Sequence, residues 1–83
     1  MDNLDSEASR MSPEELKQAC EILYGTQWQT ELARAIDVDS SRVRQWMAEE
    51  RPIPISLRSK IILLLMEKSR KSVAYADYLD HQF

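Results

Sequence analysis

Apolar residues recur along this chain at three- and four-residue spacing, the period of amphipathic helices rather than of strands. In residues 13–24 the spacing gathers Leu16, Ala19, Cys20 and Leu23 on one face. The lead-in is a strong helix start. Ser12 is the expected N-cap, Pro13 the first helical residue and Glu15 the closing member of a capping box. Met11 and Leu16 have the spacing of a hydrophobic staple, and Gly25 is the expected stop. A second helix is expected to be capped by Thr26, with Gln29 in the reciprocal position. It carries the string TELARAI, whose Leu32, Ala33 and Ile36 share a face. Asp37, Val38 and Asp39 then make a turn. A third helix over residues 40–49, capped by Asp39, turns Val43, Trp46 and Met47 inward. Pro52 and Pro54 stiffen the following connection. A fourth helix begins at Ile55 or Ser56 and runs to Ser69, and a short fifth is expected over residues 70–83. The fold class that follows is all-α, with four to five helices around one small core.

The fourth helix carries a second signal. Residues 61–66, IILLLM, are apolar all the way round. One side closes the core, and the other needs a cover. Two covers are expected together: the C-terminal segment folding back with Val73, Tyr75, Tyr78 and Leu79, and a second copy of the chain. The residues expected to dimerise are Ile62, Leu65, Met66, Tyr75, Tyr78 and Leu79.

The second and third helices, QTELARAIDVDSSRVRQW over residues 29–46, have the layout of a helix-turn-helix. Ala33 supplies the small side chain where two helices cross steeply, and Val38 fills the gap between them. At about 100° per residue, Ser40, Ser41, Arg44, Gln45 and Ala48 share the outward side of the third helix. That face is small, polar and cationic, as a helix entering a major groove requires. Arg44 and Gln45 are the candidates for reading base edges through paired hydrogen bonds. Ser40 and Ser41 are expected to touch bases or phosphates, with local capping as their alternative role. Arg42, at the edge of this face, is expected on phosphate, with an intramolecular salt bridge as the competing use. Arg51 is a candidate backbone contact, as are Arg58 and Lys60. Trp28 and Trp46 read as core rather than as stacking platforms.

This stretch resembles the helix-turn-helix of lambda-repressor-like, Cro-type regulators, in Gln29, Leu32, Ala33, Val38, Val43 and Trp46. The wider string LYGTQWQTELARAIDVDSSRVRQWMAEERPIP resembles small regulators of phages, prophages and bacterial genomes, including the anti-CRISPR-associated repressor type. The likeness spans residues 16–66. It implies that Gln29, at the start of the second helix, touches phosphate, where a helix N-terminus also favours an anion; Thr30 is expected to help. One departure is Asp37, where the family usually has Gly. Asp tolerates positive φ better than most residues, so a slightly strained turn is expected.

Composition narrows the possibilities. Eighty-three residues fit one domain with a modest core. The division expected is a flexible acidic arm over residues 1–10 and a single domain over residues 11–83. One Gly and three Pro argue against a turn-rich β design. Cys20 is the single cysteine and His81 the single histidine, so neither a disulfide nor a cysteine-based zinc site is expected. No catalytic His–acid arrangement or Gly-rich phosphate loop is present, which argues against an enzyme. No cofactor, metal or small-molecule ligand is expected. The start, MDNLDSEAS, lacks the pattern of a signal peptide, and no apolar run is long enough to span a bilayer, so a cytoplasmic, nucleoid-associated protein is expected.

The net charge of −3 counts against DNA at first. Its distribution softens the objection. Residues 1–26 carry six acids and two bases, a balance of −4, whereas residues 27–60 carry six bases and five acids, a balance of +1. The electrostatic contribution to binding is therefore expected to be small and salt-sensitive. The function expected is a dimeric, sequence-specific double-stranded DNA-binding regulator, most naturally an autorepressor that blocks a promoter at a palindromic operator. The alternative is a protein-interaction module on the same fold, such as an antitoxin or a phage adaptor.

Overall fold

A computed structural model describes residues 10–81. Residues 1–9, on which the acidic arm was expected, and residues 82–83 lie outside the described residues. The described chain is all-helical. It comprises α1 (Pro13–Tyr24), a 3-10 turn (Gly25–Gln27), α2 (Trp28–Ile36), α3 (Ser40–Met47) and α4 (Ser56–Asp80).

Helix α1 starts as its sequence dictates. The Glu15 amide donates to Ser12 Oγ at 3.1 Å, and the Ser12 amide donates to Glu15 Oε1 at 3.0 Å. Two otherwise unsatisfied donors at the helix start are thereby paired. The helix ends at Gly25, whose φ of 80° few other residues adopt without strain. The chain then winds through one 3-10 turn directly into α2. Thr26 therefore sits inside that turn and is not the cap of the next helix. Gln27 holds the cap position, without a side-chain bond.

Helices α2 and α3 each end in a left-handed residue that is not glycine, Asp37 and Glu49, both at φ 61°. At the first, the Val38 amide donates to the Ala33 carbonyl at 2.9 Å and the Asp37 amide to the Arg34 carbonyl at 3.4 Å. At the second, Glu50 donates to Gln45 at 2.9 Å and Glu49 to Trp46 at 3.1 Å. Both are Schellman turns, which satisfy the last carbonyls of a helix while reversing the chain. The second one stops α3 at Met47, short of the Glu49 end expected.

The core lies under α1, α2 and α3 and is closed by the start of α4. Leu16, Cys20, Leu32 and Val43 are completely buried, and Trp28, Ala33, Trp46, Ile53, Leu57 and Ile61 nearly so. Trp28 and Trp46 are thus core residues. Two long-range polar contacts fasten the rim. Arg10 Nη1 donates to the Ile53 carbonyl at 2.7 Å, so the last residue of the expected arm is anchored. Arg58 on α4 pairs with Glu15 on α1 at 3.4 Å.

The largest departure from expectation is α4. It is one 25-residue helix, not two, and its C-terminal half does not fold back. Val73, Tyr75, Tyr78 and Leu79 are all exposed. The cause is local: no Gly or Pro follows Pro54, so nothing breaks the helix across Ser69 to Ser72. Glu67 also pairs with Arg70 and with Lys71 on the adjacent turn. No helix among the described residues is long and apolar enough to cross a membrane.

The left-handed residues yield a stability prediction. Glu49→Gly removes an unfavourable Cβ conformation and is expected to raise stability by about 1 kcal/mol, a Tm gain of roughly 4–8 °C. Asp37→Gly should gain less, because Asp tolerates this conformation better. Thermal melts followed by circular dichroism check both, and a loss of stability at Glu49→Gly would contradict the turn assignment.

Candidate nucleic-acid interface

The short helix α3 is held from behind. Val43 and Trp46 point into the core, and Met47 is half-buried beside them. Helix α2 supports it through Leu32 and Ala33, and Val38 fills in from the joining turn. With one side committed to the core, the rest of the helix is presented to solvent. Ser40, Ser41, Arg42, Arg44 and Ala48 are exposed.

The polar groups on that face are lightly tied. Arg44 Nη1 donates to Ser40 Oγ at 3.4 Å, a long bond between residues one turn apart. Neither Arg42 nor Arg44 is ion-paired with a carboxylate among the described residues. The salt bridge weighed for Arg42 is therefore not formed there. By contrast, Arg34 on α2 is held by Glu31 at 3.2 Å. Asp39 occupies the cap position of α3 in an extended conformation, but its side chain makes no capping bond. The cap contact is instead the Asp39 carbonyl, which accepts from the Arg42 amide at 2.9 Å.

Gln45 stands differently from its neighbours. Its residue is half-buried, although the helical spacing puts it on the outward side with Arg44. Its carbonyl accepts from Glu50 and, at 3.3 Å, from the amide of Arg51. Arg51 is thereby fixed just beyond α3, exposed, on a shallow groove of about 320 Å³ that Arg10, Trp46, Glu49 and Ile53 also line. Gln29 (half-buried) and Thr30 (exposed) border a separate cleft of about 250 Å³ with Thr26, Gln27 and Trp28. Arg58, considered for DNA backbone contact, is engaged with Glu15.

The residues expected to dimerise lie along α4. Ile62, Met66, Tyr75, Tyr78 and Leu79 are exposed, and Leu65 is half-buried against the core. Tyr75 and Tyr78 pack their rings 5.5 Å apart, tilted by 33°. Sequence reasoning missed three features here. Ile22 and Leu63 are also exposed, each about two-thirds. Leu23 and Tyr24 form, with Leu64, Tyr75 and Leu79, an open groove of about 690 Å³ where α1 ends. His81, given no role, closes α4 with its Nδ1 donating to the Asp77 carbonyl at 2.7 Å. The apolar spacing of Leu64, Tyr75 and Leu79 was a signal for the groove; no periodicity announces the His81 contact.

Comparison with known protein families, with curated proteins and with solved structures finds no match to this chain.

No group of three or more His, Cys, Asp or Glu side chains suited to a metal ion occurs among the described residues. Cys20 is completely buried, and burial pushes its thiol up to about 11. Burial likewise raises the nearby Tyr24 phenol, helped by repulsion from the Cys20 thiolate once it forms and from Glu31. A buried thiol with a raised pKa is a poor nucleophile. The unfolded thiol ionises near 9.0 and the folded one near 11, so its contribution to stability is complete below pH 9 and is lost as pH rises through 11. The native protein is expected to resist thiol reagents at pH 8 and to react at once in denaturant. Rapid labelling of the native protein would contradict this burial.

Proposed function

We propose that this chain is a sequence-specific double-stranded DNA-binding regulator of the helix-turn-helix type, acting as a dimer. The observation that carries the reading is the condition of α3. Its apolar side is committed to the core through Val43 and Trp46, and its outward Ser40, Ser41, Arg42 and Arg44 have no carboxylate partner among the described residues. The Schellman turn at Asp37 supports it further, since it reverses the chain between α2 and α3 within three residues, a short joint of the kind such a unit needs.

In this reading α3 is the recognition helix. Small Ser40 and Ser41 let its N-terminal end approach the groove. Arg44 swings from the Ser40 hydroxyl to a guanine edge, and Gln45 reads an adjacent base. Arg42, Arg51, Gln29 and Thr30 position the protein on phosphates. The output would be repression by covering a promoter at a palindromic operator, most simply its own. The resemblance to Cro-type regulators of phages and prophages, the anti-CRISPR-associated repressors among them, points the same way.

A second reading keeps the fold as a protein-interaction module, an antitoxin or phage adaptor. The overall charge of −3 and the exposed apolar surface of α4 favour it.

Binding to the DNA directly upstream of the gene, against scrambled competitor at low and physiological salt, separates the two. Competitor-resistant binding that weakens as salt rises is expected. Arg44→Ala and Gln45→Ala should each lose about 1–3 kcal/mol of discrimination between operator and scrambled DNA. Unchanged discrimination would remove these residues from the reading role. Absence of binding at either salt would leave the interaction module.

A further inference from the structure

Helix α4 outruns its support. Its 25 residues span about 37 Å, whereas the 12 residues of α1 beneath it span about 18 Å. Past Leu65 the helix leaves the core, and residues 68–81 are all exposed. On this projecting half, Met66, Ser69, Val73 and Ala76 fall within an arc of about 80°, with the Asp80 carboxylate in the same arc at the far end of the helix. Met66 and Val73 are each more than three-fifths exposed, and Ser69 and Ala76 are small enough to let another helix approach closely.

Charge decides what covers this stripe. Residues 67–71 carry Lys68, Arg70 and Lys71 against Glu67, while residues 77–80 carry Asp77 and Asp80 with no base. The projecting half is therefore positive near the body and negative near its end. A second copy laid parallel would set like charge on like. Laid antiparallel, it sets each end against its opposite. The arrangement is also specific in position. Arg70 and Asp77 lie seven residues apart, hence on the same flank of the stripe, and in an antiparallel helix pair residues on one flank face the same flank of the partner. We infer that two copies of this chain pair through antiparallel α4 helices about a two-fold axis at Val73 and Ala74, with Arg70 of each copy against Asp77 of the partner subunit.

Groups already beside these two fit the arrangement. Glu67 pairs with Arg70 on its own helix and can share it. The ring of His81 lies 3.5 Å from the Asp77 carboxylate, on the next turn, and leaves that carboxylate exposed. The axis falls about 12 residues beyond Ile61, the last buried residue of α4, so the two Ile61 positions would sit about 38 Å apart along the paired helices. That is the scale of one DNA turn, about 34–36 Å. The inference rests on the dimeric reading above and gives it an orientation and a register.

The test is sedimentation equilibrium of the full chain, without DNA, at low salt. Wild type is expected to be a dimer. Arg70→Asp and Asp77→Arg each place two like-charge contacts in the symmetric dimer and should weaken it by about tenfold. The double variant, Arg70→Asp with Asp77→Arg, should restore wild-type association. Circular dichroism establishes that each variant is folded. A wild-type monomer at the highest soluble concentration would overturn the inference, as would single variants without effect or a double variant that fails to recover. Because DNA is absent, failure of the operator-binding reading leaves this result standing, and failure here leaves operator binding to be judged separately.

Discussion

The joint at Asp37 is the constraint on which the presentation of α3 depends. The backbone there turns left-handed, and the bond from the Val38 amide to the Ala33 carbonyl locks the reversal. Only then do Val43 and Trp46 enter the core from the correct side. Glu49 repeats the device at the other end, so α3 is bracketed by two left-handed residues, a conformation that costs roughly 1–2 kcal/mol at Glu49 and less at Asp37. Burial of side chains such as Val43 contributes about 1.5–3 kcal/mol apiece, enough to offset both. A helix of eight residues has little intrinsic stability, and here it is its ends and its apolar side that hold it in place.

Much of this was legible in the residues. Ser12, Pro13 and Glu15 announce α1 because a capping box is a local device, complete within four residues. The turn at Asp37 could be read because apolar positions on both sides leave the chain no room for a longer link. The polar outer side of α3 followed from helical period alone. What could not be read depends on neighbours that are distant in sequence or absent from it. Nothing local says that Gly25 to Gln27 continue winding, so Thr26 looked like a cap. The half-burial of Gln45 and the anchoring of Arg10 on Ile53 are products of three-dimensional packing. The fourth helix was expected to stop at Ser69, yet polar and basic residues without Gly or Pro do not end a helix.

Two chemically opposed surfaces share one small core. On α3 the side left outside is hydroxyl and guanidinium; on α4 it is aliphatic and aromatic. A chain of this size cannot bury both sides of every helix, and the apolar residues of α4 exceed what the core can take. Part of that excess, Met66 and Val73, lies on one stripe with small Ser69 and Ala76, while Tyr75 and Leu79 lie toward the groove at the end of α1.

The reach of α4 past the core also sets a gradient of local stability along a single helix. Amides near Leu57 and Ile61 are protected by the packed interior, and their hydrogens exchange only when much of the domain opens. Amides past Met66 rely on intrahelical bonds alone in a lone chain, so they open by fraying from the end without unfolding the core. In the inferred pair a second α4 would cover this half, and the melting temperature would become a function of protein concentration.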